Sequence, residues 1–230
     1  MFWTFAGPGH VVTGEFVIDG ERAHHLGRVL RVRPGEQGVV VAEGRQHQVI
    51  VSDVHRDHVV ARIVESSALS TEPALNVTLL QSLLPNPDFD AVIEGATAVG
   101  MGRLIAVHAA RSVRRSGPDR RDRWQAIAES AAAQSHRGRI PEILGPMTLK
   151  EALGMLEGSL LVLDPTATTP LTSCEPRVQA ALAVGPEGGW TPAELASFSA
   201  SGGTPVNLGP RILRARLAPV IATAILVAQS

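Results

Sequence analysis

The second part of the chain alternates short apolar segments with helical ones, and this alternation narrows the choice of fold more than any other feature of the sequence. It starts at the strand-like segment "NVTLLQSL" and continues to the end of the sequence. Strands that alternate with helices form a parallel sheet covered on both faces. An α/β fold is therefore predicted here, with helices near residues 89–99, 122–134, 149–156 and 192–201, and a last helix from residue 213.

The first part of the chain has a different pattern. Between residues 11 and 65, the segments "GEFVID", "GVVVAE", "HQVIVSDV" and "HVVARIVE" read as short strands, and one short helix precedes Pro34 and Gly35. Short strands at this spacing predict a small β-barrel. The Ser-, Thr- and Pro-containing segment 66–75 resembles a linker, so we expect two domains, 1–70 and 71–230.

Composition excludes several classes of protein. The chain has 230 residues, of which 44% are hydrophobic and 19% charged, as in ordinary globular proteins. One cysteine, Cys174, excludes an internal disulfide, and the absence of Cys/His clusters excludes a structural zinc site. The first residues lack the basic and apolar regions of a signal peptide, and no apolar run is long enough to span a bilayer. We therefore expect a cytoplasmic protein without a metal or a membrane partner.

Positive charge is concentrated in one segment. The net charge is −1, but residues 103–139 carry nine Arg against three acidic residues. Such a local excess favours phosphate contacts of a nucleic acid, although a solvated charged loop has the same pattern. The densest part of this run contains Arg111, Arg114 and Arg115.

The segment "LAVGPEGGWTPAEL" is the sharpest local signal. An apolar strand leads into a loop with Gly185, Gly188 and Gly189, and Thr191 and Glu194 then form a capping-box pattern at a helix start. A glycine loop at the carboxyl end of a parallel strand suits a nucleotide-like ligand, because the backbone can approach it closely. An ordinary tight turn has the same residues. The spacing fits neither a dinucleotide fingerprint nor a P-loop.

The segment "VNLGPRILRARLAP" repeats this arrangement with a second glycine loop. Two such loops on neighbouring strands would form a pocket. Arg211 and Arg214 are predicted at a helix N-terminus, where the helix dipole disfavours cations, so an anionic partner is expected there unless both are simply solvated.

Four motifs together give a family resemblance. "HHLGRVLRVRPGE", "QSHRGRIPEI", "GPEGG" and "LGPRILR" occur in this order, and the chain resembles the 16S ribosomal RNA (uracil-N3)-methyltransferase family along essentially its whole length. The resemblance implies a PUA-like β-barrel followed by a SPOUT-type α/β domain with a C-terminal trefoil knot. It also implies S-adenosylmethionine as cofactor, ribosomal RNA or the small ribosomal subunit as partner, and a homodimer.

The resemblance also implies site residues. Glu187 is expected to assist proton removal from a uracil, or alternatively to organise its own loop, while Arg211 or Arg214 stabilises the developing negative charge. The expected cofactor contacts are Leu163, Asp164, Pro165, Gly185, Pro186, Glu187, Gly188, Gly189, Leu208, Gly209, Arg211, Ile212 and Leu213. The expected substrate contacts are Arg28, Arg31, Arg111, Arg114, Arg115, Gln134 and Arg137.

Some positions depart from the pattern of that family. Arg216 stands where the family typically has the acidic residue of "RTETA", and "PNPDFDAVIEGATAVG" replaces a lysine-containing segment, "KGDKMD…QKATELG". These departures leave two alternatives to an rRNA methyltransferase. One is an N-methyltransferase of a small heterocyclic metabolite on the same scaffold, and the other is an RNA-binding module without activity.

Overall fold

The computed structural model describes residues 1–7, 11–12, 14–112, 120–175 and 178–230. Two compact units are distinguished by their internal contacts. The first unit contains Met1–Glu72 and Ala133–Arg139, and the second contains Pro73–Ala132 and Ile140–Ser230. The segment Ala133–Arg139 thus packs with the first unit, although the sequence prediction placed all of 71–230 in the second domain.

The first unit is built on a six-stranded sheet with the order β1-β4-β5-β6-β3-β2, in which only β1 and β4 pair in parallel. The predicted short helix is present as α1 and a following π-helical turn. Closure of the sheet into a barrel stays a prediction. The elements are β1 (Phe2–Phe5), β2 (Val11–Val12), β3 (Glu15–Asp19), α1 (Gly20–His24), the π-helix His25–Leu30, β4 (Gln37–Ala42), β5 (Arg45–Val54) and β6 (His58–Ala68).

Alternation along the strands produces the core of this unit. Phe16 and Ile18 of β3 and Val59 and Ala61 of β6 are buried, and the residues between them are more exposed. Because successive strand residues point to opposite faces, this period of two places one face of the sheet in the core. Leu26 of the π-helix is fully buried against the same cluster.

The second unit has a parallel sheet of six strands with the order β12-β10-β11-β7-β8-β9. The prediction of a parallel sheet in an α/β fold is confirmed. Its elements are β7 (Asn76–Ser82), α2 (Asp88–Ala98), β8 (Arg103–His108), α3 (Arg121–Gln134), β9 (Glu142–Thr148), α4 (Leu149–Leu153), β10 (Ser159–Leu163), a 3-10 turn (Leu171–Ser173), β11 (Gln179–Val184), α5 (Pro192–Ala200), β12 (Thr204–Val206) and α6 (Ala218–Ala228).

Both faces of this sheet are covered. On one face Leu79 and Leu182 pack with residues of α2, α3 and α6, and on the other Leu80 and Ala183 pack with residues of α4 and α5. A strand buried on both faces reads as a continuous apolar run, which explains the pattern of "LLVL" and "ALAV". The trefoil knot implied by the resemblance stays a prediction.

The last helix was predicted to begin at residue 213, and this is wrong. The helix α6 begins at Ala218, with Pro219 in its first turn. Proline is favoured at the first helical positions, since its missing N–H would have no helical partner there. Arg211 and Arg214 therefore lie in the loop before the helix, and the argument from the helix dipole does not hold for them. The strands β1 and β9 were not predicted.

Arg137 anchors the segment Ala133–Arg139 within the first unit. Its guanidinium donates to the Glu72 carboxylate through Nη2, at 2.6 Å from Oε2, and through Nε, at 3.3 Å from Oε1. Glu72 Oε1 also accepts from the Gly138 N–H, and the Arg137 carbonyl accepts from Trp3 Nε1. Arg137 is only 3% exposed, so its charge is satisfied inside the unit rather than presented to a substrate.

We predict that Arg137→Met lowers the free energy of unfolding by about 3–5 kcal/mol, because it leaves the largely buried Glu72 carboxylate without its counter-charge. Arg45→Met is the matched control. Arg45 is exposed and, among the described residues, donates to the Ser66 carbonyl alone, so we expect a change within about 0.5 kcal/mol. Urea unfolding followed by circular dichroism measures both, and equal midpoints for the two variants would contradict this prediction.

Candidate active site

Three loops meet at one edge of the parallel sheet. They follow β10, β11 and β12, and β10 pairs with both of the other two strands. Parallel strands place their carboxyl ends at the same edge, which is where ligands bind in open α/β sheets. The structure thus brings together the three segments that the resemblance assigns to the cofactor, namely residues 163–165, 185–189 and 208–213.

The loops after β10 and β12 are hydrogen-bonded to each other. The Asp164 N–H donates to the Val206 carbonyl at 2.9 Å, and the Asn207 side-chain amide donates to the Ala167 carbonyl at 2.8 Å. Asn207 Oδ1 also accepts from the N–H of Gly209, at 2.8 Å. Gly209 has a φ of +91°, a conformation that costs a side-chain-bearing residue free energy, and this explains the glycine. One side of the site is therefore held by a dense backbone network.

The loop Gly185–Gly189 forms a tight turn. Gly189 has a φ of +68°, and its N–H donates to the Pro186 carbonyl at 2.8 Å. At both Gly189 and Gly209 a Cβ atom would meet nothing within 4 Å, so open space borders the backbone there. A ligand can approach these backbone positions closely.

Trp190 closes the base of this loop. Its ring lies 3.2 Å from the position that a Cβ atom of Gly185 would occupy, and it packs edge-on against Phe198 with 4.8 Å between ring centroids. The side chain is buried. The buried ring therefore supports the glycine loop from the core side.

Glu187 is exposed, and within the described ranges its carboxylate accepts no hydrogen bond. The alternative role of a carboxylate that organises its own loop therefore has no contact to support it. Arg211 and Arg214 are also exposed, and the Arg214 carbonyl accepts from the N–H groups of Leu217 and Ala218 at 2.8 and 3.0 Å. These two bonds connect the loop to the start of α6.

Glu194 is a site residue whose role the sequence revealed only in part. Its carboxylate and the Thr191 side chain form the predicted capping box at the start of α5. The second oxygen, Oε1, accepts from the Ala110 N–H at 2.8 Å, in the loop after β8. Burial alone would raise the pKa of Glu194, but the hydrogen bonds from Thr191 and Ala110, and the nearby charge of Arg111, lower it below its usual value.

Two acidic residues in the first turn of α2 form ion pairs with arginines. Arg216 Nη1 lies 3.3 Å from Asp88 Oδ1, and Arg123 Nη2 lies 2.5 Å from Asp90 Oδ2. Arg216 and Asp88 both belong to the segments that depart from the pattern of the resembled family. The unusual cation at position 216 is therefore matched by an acidic partner from the other departing segment.

The predicted substrate residues are found in several places. Arg28 and Arg31 are exposed on and just after the π-helix of the first unit, and Gln134 is exposed at the end of α3. Arg111 is exposed in the second unit and donates to the Gly188 carbonyl at 2.8 Å, so the structure joins it to the predicted cofactor loop. Arg137 is buried with Glu72. Arg114 and Arg115 lie outside the described residues.

No three or more His, Cys, Asp or Glu residues in the described ranges are grouped so that they could hold a metal ion. None of the described helices has the length and apolar character that a membrane crossing requires.

Models of two protein families match the chain. The model described as an RNA methyltransferase domain matches residues 71–227, and the one described as an RNA methyltransferase PUA domain matches residues 18–64. The PUA match lies on the six-stranded sheet of the first unit, and the other match includes the whole parallel sheet.

Curated relatives and a solved structure agree with these matches. The ribosomal RNA small subunit methyltransferase E of Mycobacterium bovis is 34% identical over 220 residues, which cover 90% of this chain and 83% of the relative. The protein of the same name from Bacillus subtilis is 29% identical and covers 90% and 87%. A crystal structure of ribosomal RNA small subunit methyltransferase E from Neisseria gonorrhoeae, bound to S-adenosyl methionine, matches with a TM-score of 0.86 and 28% identity over 96% of this chain and 95% of that one.

Similarity of this extent spans both units and all three loops of the site, and the chain belongs to the ribosomal RNA small subunit methyltransferase E family.

Proposed function

We propose that this protein transfers a methyl group from S-adenosylmethionine to N3 of a uridine in small-subunit ribosomal RNA, in the cytoplasm. The observation that carries the proposal is the meeting of three loops, two of them glycine-containing, at the carboxyl edge of adjacent parallel strands. The relative from Neisseria gonorrhoeae with the same fold was crystallised with S-adenosyl methionine.

The residues at this edge fit such a donor. Gly189 and Gly209 leave open space beside their backbone, as a ligand held mainly by backbone groups requires. Leu163 and Leu208 are half-buried and pack on the apolar core, so they offer apolar surface close to the same loops. When bound, S-adenosylmethionine supplies an electrophilic methyl group, and the chain itself needs to supply only placement and proton transfer.

Proton transfer is assigned to Glu187. A uracil N3 has no free lone pair until its proton leaves. Glu187 is exposed and accepts no hydrogen bond from the part of the chain that the structure describes, so its carboxylate can accept that proton. The exposed guanidinium groups of Arg211 and Arg214, in the neighbouring loop, would then stabilise the negative charge that develops on the uracil oxygens.

Ribosomal RNA is favoured over a small metabolite by the first unit. A match to an RNA methyltransferase PUA domain covers residues 18–64, and Arg28 and Arg31 are exposed in that range. Arginines on an exposed surface bind phosphate oxygens and position an RNA without reading its sequence. An enzyme acting on a small heterocycle has no use for such a module.

The donor and the acceptor are tested together. We expect the purified chain to transfer label from S-adenosylmethionine to 30S subunits of a strain that lacks this methylation, and nuclease digestion with mass analysis to identify N3-methyluridine. Label in a low-molecular-weight extract instead would support a metabolite enzyme. Binding of RNA without any binding of the donor in calorimetry would identify a module without activity.

We predict that Glu187→Gln lowers the turnover number about 10²- to 10⁴-fold and leaves the dissociation constant of S-adenosylmethionine unchanged, because only proton removal is affected. Glu157→Gln is the matched control, since Glu157 is also exposed but precedes β10, at the opposite edge of the sheet. Full activity of Glu187→Gln would remove the proposed role of this carboxylate.

A homodimer is proposed from the surface of α6. This helix contains no charged residue, yet Ile221 is 38% exposed, and Leu217 and Ile212 just before it are 46% and 85% exposed. A helix that is apolar all round is normally buried, so a second copy of the chain is expected to cover this face.

Sedimentation velocity tests this assembly. We expect the wild-type chain to sediment as a dimer at micromolar concentration, and Ile221→Glu to sediment as a monomer because it buries a charge in the interface. Val64→Glu, at an exposed apolar position of β6, should remain dimeric. A monomeric wild-type chain would contradict the proposal.

A further inference from the structure

Arg111 bridges two loops that belong to different parts of the parallel sheet. It lies after β8, whereas the glycine loop follows β11, and β7 separates these strands. Arg111 Nη1 donates to the Gly188 carbonyl at 2.8 Å. Its stem also packs along the loop, because a Cβ atom at Gly188 would lie 3.3 Å from both Cβ and Cδ of Arg111. The side chain therefore holds the loop through a charged hydrogen bond and a close contact.

Glu194 fixes the backbone from which Arg111 projects. Its Oε1 accepts from the N–H of Ala110, the residue before Arg111, and its Oε2 accepts from the Thr191 N–H and hydroxyl, each at 2.7 Å. The glycine loop is thus restrained near Gly188 by Arg111 and just beyond it, at Thr191, by Glu194. The first restraint comes from the loop after β8, and the second comes from α5, whose Glu194 also accepts from the Ala110 N–H of that loop.

This double restraint has a consequence for ligand binding. Glycine loses more conformational freedom than other residues when it is ordered, and Gly188 and Gly189 are adjacent. A loop that is already ordered before the ligand arrives binds it more tightly, because less conformational entropy is lost on binding. The guanidinium of Arg111 is the side-chain group that supplies this order at Gly188.

We propose that Arg111 is a positioning residue for the methyl donor, which fixes the Gly185–Gly189 loop in its binding conformation through the Gly188 carbonyl. This inference rests on the proposed function and deepens it. It differs from the role predicted for Arg111 from sequence, a contact with an RNA phosphate, since it acts on the donor and does not require RNA.

Calorimetric titration of the full chain with S-adenosylmethionine, in the absence of RNA, tests the proposal. We expect Arg111→Met, which keeps an apolar stem but loses the donor group, to raise the dissociation constant about tenfold. Arg111→Lys should recover part of this loss, since an ammonium can still donate to a carbonyl. If Arg111→Met does not fold, the dissociation constant of S-adenosylmethionine from Arg111→Lys is compared with that from the wild-type chain.

Arg103→Met is the matched control. Arg103 also donates to a backbone carbonyl, that of Met155 at 3.0 Å, but it lies at the start of β8, at the opposite edge of the sheet. We expect the dissociation constant of S-adenosylmethionine from the Arg103→Met chain to equal that from the wild-type chain. Amide hydrogen exchange gives a readout without the donor, and Arg111→Met should accelerate exchange in residues 185–190 while Arg103→Met should not.

The outcomes separate this inference from the proposed function. A wild-type chain that does not bind S-adenosylmethionine overturns both. An Arg111→Met chain that binds the donor like the wild-type chain overturns the inference alone, and weaker RNA binding with a smaller salt dependence would then identify Arg111 as a phosphate contact. In steady-state kinetics, the inferred role raises KM for the donor and leaves kcat nearly unchanged.

Discussion

Parallel pairing of β10 with β11 on one side and β12 on the other is the constraint on which the candidate site depends. None of the three loops could form the candidate site alone, because each supplies only one of the three segments that meet there. The register of the strands places their ends at one edge, and hydrogen bonds such as the one from Asp164 to Val206 lock two of the loops together. The arrangement of the candidate site is therefore a consequence of sheet topology.

Much of this arrangement could be predicted from the sequence, because interactions between residues close together in the chain determine it. Apolar runs marked the buried strands, and the capping box of Thr191 and Glu194 marked the start of α5. Glycine residues indicated the turns at Gly189 and Gly209, and both residues have a positive φ in the structure. Each of these signals depends on residues within a few positions of one another, so no knowledge of the tertiary structure was needed.

What the sequence did not contain depends on contacts between distant residues. The bond from Arg111 to Gly188 spans 77 positions, and the ion pair of Arg137 with Glu72 spans 65. The sequence analysis assigned both arginines to RNA contacts, since a sequence does not show which guanidinium groups are satisfied internally. The start of α6 was misplaced for a different reason, as the apolar residues before Pro219 continue the helical pattern while the backbone forms a loop.

The ion pair of Arg216 with Asp88 has a consequence for how this sequence tolerates change. The two residues are 128 positions apart, and each stands in a segment that differs from the pattern of the resembled family. Reverting either one singly would place two like charges, or one unpaired charge, beside the first turn of α2. The effect of a substitution at one position therefore depends on the residue at the other, which is epistasis. Exchanging only one of the two segments with a homologue would remove the ion pair.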